Sequence, residues 1–171
     1  EGNNFQIRNL VITRTSSDVE TGGENIGLFG SVSAAEIRNI QLTGASSSVT
    51  GDAYVGALVG SSHDSTLSNI YLTVAVSGDE AVGGLVGLAE ESVLDYVATE
   101  GDVTGESMHI GGVAGIVYST LVSRSSASGD ISGNFNVGNL LGAVDDSHVS
   151  SSYSRGTVTA LNNLGGLIGE A

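Results

Sequence analysis

The 171-residue chain contains no cysteine, no proline, no tryptophan and no lysine. The absence of cysteine excludes disulfides and thiolate zinc sites, and the absence of proline excludes collagen and polyproline structures despite the 26 glycines. All five basic residues are arginines, against 19 acidic residues, which gives a formal net charge of −14. This sign argues against nucleic-acid binding and against a polybasic contact with anionic membranes, because both need clustered Lys or Arg.

Long apolar runs are also absent. The longest, such as residues 81–89, are far shorter than the roughly 20 residues that a transmembrane helix needs, so we expect no membrane insertion. A hydrophobic fraction of 40% and a mean hydropathy of +0.19 nevertheless predict a chain that folds. The length suits one domain, residues 1–171.

A glycine motif such as VGGLVG recurs along the whole chain. It occupies residues 55–60, 82–87, 110–115, 137–142 and 164–169, with a shorter version at 26–30. The glycines that close it are Gly30, Gly60, Gly87, Gly115, Gly142 and Gly169. Their spacings are 30, 27, 28, 27 and 27 residues, and a fixed step of this length predicts a solenoid of six coils.

Two apolar columns keep the same step. The first column is Ile7, Ile37, Leu67, Leu94, Val122 and Val149, and the second is Val19, Val49, Val76, Val103, Ile131 and Val158. The two columns are 12 residues apart in the first two coils and 9 residues apart in the others. We therefore expect a three-residue insertion in each of the first two coils, and one extra residue within 105–109 of the fourth. Solenoids tolerate such insertions at turns.

The repeated segments are rich in Val, Ile, Thr and Tyr, and around Val103 apolar and polar residues alternate, both of which favour strands. Glycine is too dense for helices. The prediction is an all-β parallel β-helix, or β-solenoid, with three short strands per coil and about 4.8 Å between coils. The rule for parallel connections predicts a right-handed coil.

The glycine motif resembles the GLUG repeat, on the residues 83–87 (GGLVG) and their five counterparts, with residues 151–154 (SSYS) ahead of the last. Residues 26–30 followed by 37–40 (IRNI) are similar as well. GLUG repeats occur in bacterial adhesins, filamentous-haemagglutinin-like proteins and non-catalytic regions of secreted peptidases. The resemblance implies a non-enzymatic, extracellular structural or adhesive segment of a bacterial surface protein. The expected partners are neighbouring domains of a longer polypeptide and a host or surface glycan or protein.

Stacked positions can also form polar ladders. One column contains Asn9, Asn39 and Asn69, followed by Tyr96, Arg124 and Ser151. We expect the asparagine amides to bond to one another, and a ligand site is the alternative interpretation. The outward file after the second apolar column is Glu20, Thr50, Ser77, Thr104, Ser132 and Thr159, and the file before it is Asp18, Ser48, Ala75, Asp102, Asp130 and Thr157. A flat hydroxyl array is the layout of ice-binding solenoids, which is an alternative function, although four acids interrupt this array.

Two acidic files are expected at turns. Asp52, Asp79 and Glu106 follow the second apolar column with Asn134 after them, and Asp64, Glu91 and Asp146 follow the glycine motif, beside Glu90 and Asp145. Stacked carboxylates attract cations, so Asp52, Asp79 and Glu106 are candidate Ca²⁺ ligands. No Ca²⁺-loop motif supports them, and acids that form turns and keep the chain soluble are the favoured interpretation.

A glycan-processing β-helix enzyme is a further alternative function. His63, His109 and His148 occupy three different positions in the repeat, no GxSxG motif is present, and aromatic residues are 5% of the chain. We therefore predict no catalytic residues and no cofactor. The adjacent apolar pair in each glycine motif predicts either a bend of the chain or an apolar stripe formed by Leu58, Leu85, Val113, Leu140 and Leu167.

Overall fold

The computed structural model of the chain describes residues 1–3, 5–15 and 23–171. The described residues form 26 short strands and no helix, and the strands pair in parallel in four sheets. Sheet 1 contains Gln6–Arg8, Glu36–Thr43, Thr66–Leu72, Val93–Thr99, Leu121–Ser123 and His148–Ser150, with Ser126–Ala127 and Tyr153–Ser154. Sheet 2 contains Val11–Thr13, Ser48–Thr50, Ala75–Gly78, Val103–Gly105, Ile131–Ser132 and Val158–Thr159.

The other two sheets carry the glycine motif. Sheet 3 contains Glu24–Ile26, Ala53–Gly56, Glu80–Gly83, Met108–Gly111, Phe135–Gly138 and Asn162–Gly165. Sheet 4 contains Phe29–Ser33, Val59–His63, Val86–Glu90, Ala114–Tyr118, Leu141–Asp145 and Ile168–Glu170. The chain visits the four sheets in order and then starts again, so it is a β-solenoid. We call one such circuit a rung and number the rungs 1 to 6 along the chain.

The glycine motif explains why a rung has four strands where the sequence predicts three. Each motif bends at its centre, between its strand in sheet 3 and its strand in sheet 4. The apolar residue at the bend is fully buried in the four inner motifs, at Leu58, Leu85, Val113 and Leu140. The bend is therefore confirmed, and these four residues belong to the core. The first glycine of the motif has backbone where a side chain would lie, since a Cβ on Gly83 would meet the Val86 carbonyl oxygen and the Cα of Ala114.

From rung 2 onward the predicted columns are in register. Ile37, Leu67, Leu94, Val122 and Val149 pair in sequence along sheet 1. Val49, Val76, Val103, Ile131 and Val158 do the same in sheet 2. Together with the glycine motif they line one continuous core, in which most members on rungs 2 to 5 are fully buried. Burial of this apolar area is the main stabilising contribution.

Rung 1 departs from the predicted alignment. Ile7 pairs with Leu42 and not with Ile37, and the partner of Val49 is Ile12. Val19, predicted for that place, lies outside the described residues. The three-residue insertion is present in rung 2, where residues 44–46 form a turn between sheets 1 and 2. In rung 1 the extra residues come later, between Ile12 in sheet 2 and Ile26 in sheet 3. These two residues are 14 positions apart, whereas their partners Val49 and Val55 on rung 2 are 6 positions apart.

Three corners of each rung from 2 to 5 place a residue in the left-handed region of φ, and rungs 1 and 6 have some of these corners. In sheet 1 these residues are Asn39, Asn69, Tyr96, Arg124 and Ser151 (φ 47° to 59°). In sheet 3 they are Asn25, Tyr54, Ala81, His109, Asn136 and Asn163 (φ 51° to 62°). After sheet 4 they are Ala34, Asp64, Glu91, Ser119 and Asp146 (φ 43° to 49°). Asn and Asp are the side chains that tolerate this conformation best, which explains their frequency in these columns.

Candidate functional site

The predicted hydroxyl file stands on the outer side of sheet 2. Thr50, Ser77, Thr104, Ser132 and Thr159 pair in register across five rungs. Thr50 and Ser77 share a hydrogen bond of 2.9 Å between their hydroxyls, and Ser132 donates to Thr104 at 3.3 Å. The neighbour of Thr50 on rung 1 is Thr13, where the sequence predicts Glu20.

This change makes the file longer and less charged than expected. Glu20 and Asp18 lie outside the described residues, and Thr13 and Val11 occupy their predicted places. The file thus consists of six hydroxyl residues on consecutive rungs. They are Thr13, Thr50, Ser77, Thr104, Ser132 and Thr159. The parallel file keeps two of the three acids predicted for it, Asp102 and Asp130. Its members are Val11, Ser48, Ala75, Asp102, Asp130 and Thr157.

The acidic file at the next turn has its predicted members on rungs 2 to 4. The Asp79 amide donates to the Asp52 carbonyl at 2.7 Å, and the Glu106 amide donates to the Gly78 carbonyl at 3.0 Å. Because Gly78 pairs with Gly105, Glu106 follows Asp79 in the file, as predicted. The extra residue expected within 105–109 lies in this turn, because Gly105 and Met108 keep the register on either side of it.

Asp52, Asp79 and Glu106 line one depression of about 170 Å³ beside Thr50 and Ser77. Asp52 accepts a hydrogen bond from the Gly23 amide at 3.1 Å. Within the described residues, no group of three or more His, Cys, Asp or Glu side chains is placed to hold a metal ion. These residues therefore carry no metal assignment.

The second acidic file is part of a structural corner. Asp64, Glu91 and Asp146 all have left-handed φ, and Ser119 occupies the same corner in rung 4. The Asp64 amide donates to the Glu90 carbonyl, and the Glu91 amide donates to the Tyr118 carbonyl, both at about 3.0–3.1 Å. This geometry supports the interpretation of these acids as turn formers.

A buried hydroxyl column follows this corner, and the sequence analysis missed it. Its members are Ser65, Ser92, Thr120 and Ser147. Each hydroxyl donates to the carbonyl two residues earlier, at 2.7 to 2.8 Å. Each also accepts from the backbone amide one rung earlier, at 2.9 to 3.2 Å. Ser125 and Ser152 repeat the arrangement in sheet 1. A hydroxyl residue two positions before the first apolar column is the signal that would have found it.

The asparagine ladder is present but shorter than predicted. The Asn69 amide nitrogen donates to the Asn39 side-chain oxygen at 2.5 Å, and the Asn39 amide nitrogen donates to Glu1 at 3.0 Å. Asn9 is not in this column, because its backbone amide bonds to Thr43 and it lies beside Gly44. A second ladder links Asn163 to Asn136 at 2.7 Å, and Asn136 to the Glu170 carboxylate. Both ladders join side chains of successive rungs.

The three histidines lie at three different places, as the sequence predicts. His63 is 3.9 Å from Glu90 in sheet 4, and His109 is 3.9 Å from Glu170. His148 is exposed at the start of the strand His148–Ser150 in sheet 1. His109 Nδ1 and Asn139 Oδ1 are the buried side-chain polar atoms without a hydrogen-bond partner in the described part of the chain.

Sheet 1 carries a group of tyrosines and arginines that the sequence analysis did not bring together. Arg124 forms two hydrogen bonds with Asp95, at 2.5 and 3.0 Å, and its guanidinium lies 4.7 Å from the centre of the Tyr96 ring. Arg155 lies 5.4 Å from the centre of the Tyr153 ring. The hydrogen bond from Arg124 lowers the pKa of the Asp95 carboxyl below its usual value, and a hydrogen bond from Ser123 acts in the same direction.

Tyr71 completes this group one rung before Tyr96. Its hydroxyl donates to the Glu100 carboxylate at 2.7 Å. That hydrogen bond, with burial of the ring and the charge of Glu100, raises the pKa of Tyr71 above its usual value. The phenol therefore stays protonated at neutral pH and acts as a donor.

Within the described residues, no helix is long and apolar enough to cross a membrane. Comparison with known proteins gives no match: no family model, no curated protein and no solved structure is similar to the chain.

Proposed function

We propose that the chain is a non-enzymatic structural and adhesive segment of an extracellular bacterial surface protein. The observation that supports this most is the uniform register of the rungs, in which each strand pairs in parallel with its equivalent on the next rung. Such an arrangement makes a stiff rod whose length grows with the number of repeats. The resemblance of the glycine motif to GLUG repeats supports the extracellular setting.

The polar side chains of the inner rungs support a scaffold as well. The hydroxyl columns, the asparagine ladders and the glycine corners all connect one rung to the next. Five steps separate rung 1 from rung 6, so the described rod spans about 24 Å at 4.8 Å per step. Its outer faces are free to contact neighbouring domains of the same polypeptide or a surface glycan or protein.

The location can be tested with antibodies raised against the purified chain. On intact cells that produce the protein, we expect surface labelling that added protease removes. Purified chain should also compete with these cells for attachment to a substratum. A matched control is the Val103→Asp variant, which should lack the fold and fail to compete. Labelling that requires permeabilised cells would contradict the proposal.

Ice binding is a second candidate, and one observation favours it. The hydroxyl file of sheet 2 is uninterrupted over six rungs, because Thr13 and not Glu20 precedes Thr50. We expect a measurable thermal hysteresis if this face binds ice, and Thr104→Asp should abolish it. Ser68→Asp is the control, since it puts an acid on sheet 1 where the next rung already has Asp95. No hysteresis in the wild-type protein would remove this candidate.

A further inference from the structure

The outer side of sheet 1 on rungs 3 to 6 carries several tyrosine and arginine side chains close together. We call it the tyrosine–arginine face, and it consists of Tyr71, Asp95, Tyr96, Glu100, Arg124, Tyr153 and Arg155. It holds three of the chain's five tyrosines and two of its five arginines. Its two carboxylates balance its two guanidinium groups, so the face is neutral on a chain with a net charge of −14.

Small residues separate two tyrosines along this face, and we call this arrangement the trough. Tyr71, Ala98, Ser126 and Tyr153 occupy one outward column on four successive rungs. The two small residues form a floor between two tyrosines that are three rungs, or about 14 Å, apart. Tyr96 and Arg124 flank the floor on one side, two residues earlier in the chain, and Glu100 and Arg155 flank it on the other, two residues later.

The polar groups of the face are held in place before any ligand binds. Asp95 accepts from Ser123 at 2.6 Å in addition to its two bonds from Arg124. The Glu100 carboxylate is held by the Tyr71 hydroxyl. Tyr96 and Tyr153 nevertheless remain 59% and 56% exposed. Ordered side chains that stay exposed lose little entropy on binding a ligand, and Tyr and Arg are among the residues that most often dominate binding energy.

We infer that this trough binds an uncharged oligosaccharide that lies along the solenoid axis. Sugar rings combine apolar C–H faces, which pack on tyrosine rings, with hydroxyls, which need donors and acceptors in fixed places. Beside the tyrosine rings, the carboxylates supply acceptors and the guanidinium groups supply donors. An acidic polymer is disfavoured by the net charge of −14. This inference rests on the proposed adhesive function and names its ligand class.

The test uses the whole chain and an array of linear neutral hexasaccharides, namely β-glucan, mannan, xylan and galactan, with oligogalacturonate as the acidic probe. We expect binding to at least one neutral probe. Tyr71→Ala and Tyr153→Ser should each weaken it about tenfold or more, as loss of a dominant aromatic contact does. Both substitutions introduce the residue that the same column already has at Ala98 or Ser126, so the fold should be kept. Tyr96→Asn follows the same logic, since Asn69 precedes Tyr96 in its column.

Tyr118→Ala is the matched control, because Tyr118 is an exposed tyrosine at the end of a strand in sheet 4. It should bind like the wild type. Added salt should leave neutral-sugar binding unchanged, since no net charge is neutralised.

Several results would overturn the inference. They are no binding to any neutral probe, binding to oligogalacturonate alone, and equal binding by the wild type, Tyr71→Ala and Tyr153→Ser. Self-association that Tyr153→Ser abolishes would make the face an interface between copies and would also overturn it. Surface labelling of intact cells is independent of these results. Retained labelling without sugar binding would reject the ligand class alone.

Discussion

Rungs 5 and 6 carry the same residue columns, yet they differ in burial. Val137 on rung 5 is fully buried, while its partner Leu164 on rung 6 is 53% exposed. Leu140 is fully buried at the bend of rung 5, and Leu167 at the bend of rung 6 is 36% exposed. The repeat itself is the same in both rungs. A core side chain is therefore buried when its rung packs against a rung on each side. Contacts between neighbouring repeats stabilise a solenoid in this way.

The largest effect should separate Val103→Asp from Val158→Asp. Val103 is fully buried in sheet 2 of rung 4, and Val158 is its partly exposed equivalent on rung 6. A carboxylate without a partner in the core costs several kcal/mol, whereas on rung 6 water still reaches it. We expect Val103→Asp to lose most of the folded population and Val158→Asp to unfold at a moderately lower urea concentration. Thr104→Asp is the exposed control and should change stability by about 0.5 kcal/mol or less. Equal loss in Val103→Asp and Thr104→Asp would mean that the two faces of the strand are exchanged.

Gly83→Ala and Gly166→Ala make the second comparison. A Cβ on Gly83 would overlap backbone atoms of Val86 and Ala114, while a Cβ on Gly166 meets nothing within 4 Å. Backbone atoms cannot move aside cheaply in a packed core, so Gly83→Ala should destabilise by about 1–3 kcal/mol or more. Gly166→Ala should be nearly neutral. Thermal midpoints of the two variants measure this, and similar midpoints would show that rungs 3 and 4 are further apart than described.

Ser92→Ala and Ser147→Ala compare an inner and an outer member of the buried hydroxyl column. Ser92 is buried, accepts from the Ser65 amide and donates to the Glu90 carbonyl. Its removal leaves buried groups without partners, which costs about 1–3 kcal/mol. Ser147 makes the same two bonds but is partly exposed, so water can replace its hydroxyl. Ser92→Ala should therefore lower the free energy of unfolding, measured by urea denaturation, more than Ser147→Ala does. The reverse order would refute the role of burial.

The solenoid could be predicted from the sequence because its cause is periodic. Each repeat needs a glycine where two backbones approach closely and an apolar residue in the core. Gly83, Val103 and their equivalents therefore recur, and they reveal the repeat length and the buried face of each strand. The bend at Leu85 was also predictable, since strict alternation would expose one of two adjacent apolar residues.

Rung 1 and the polar sites were harder, because their geometry is not periodic. Ile7 and Val19 fit the spacing of the columns, yet Ile7 pairs with Leu42 and Ile12 takes the place predicted for Val19. An inserted residue has no counterpart from which to align it, so the sequence located the extra residue of this turn only within 105–109. The tyrosine–arginine face joins residues that share no motif, so only the three-dimensional register brings Tyr71 near Tyr153.

The smallest expected effect tests the acidic file of Asp52, Asp79 and Glu106 within the inner rungs. Asp52 and Asp79 lie on successive rungs, about 5 Å apart along the stack, and like charges at that distance repel by about 0.8 kcal/mol in water. Asp79→Asn should therefore stabilise by a few tenths of a kcal/mol after screening by salt.

Glu106→Gln removes a charge from the end of the file, where Glu106 has one acidic neighbour and Asp79 has two, so it should raise the thermal midpoint less. Melts of both variants and of the wild type, each with Ca²⁺ and with a chelator, measure the difference. If Ca²⁺ binds between Asp52 and Asp79, Asp79→Asn should lower the midpoint in Ca²⁺ alone, because an ion that binds only the folded state adds stability by mass action. Equal increases in Asp79→Asn and Glu106→Gln would contradict the stacked file, since the middle charge of a stack relieves two repulsions and the end charge only one.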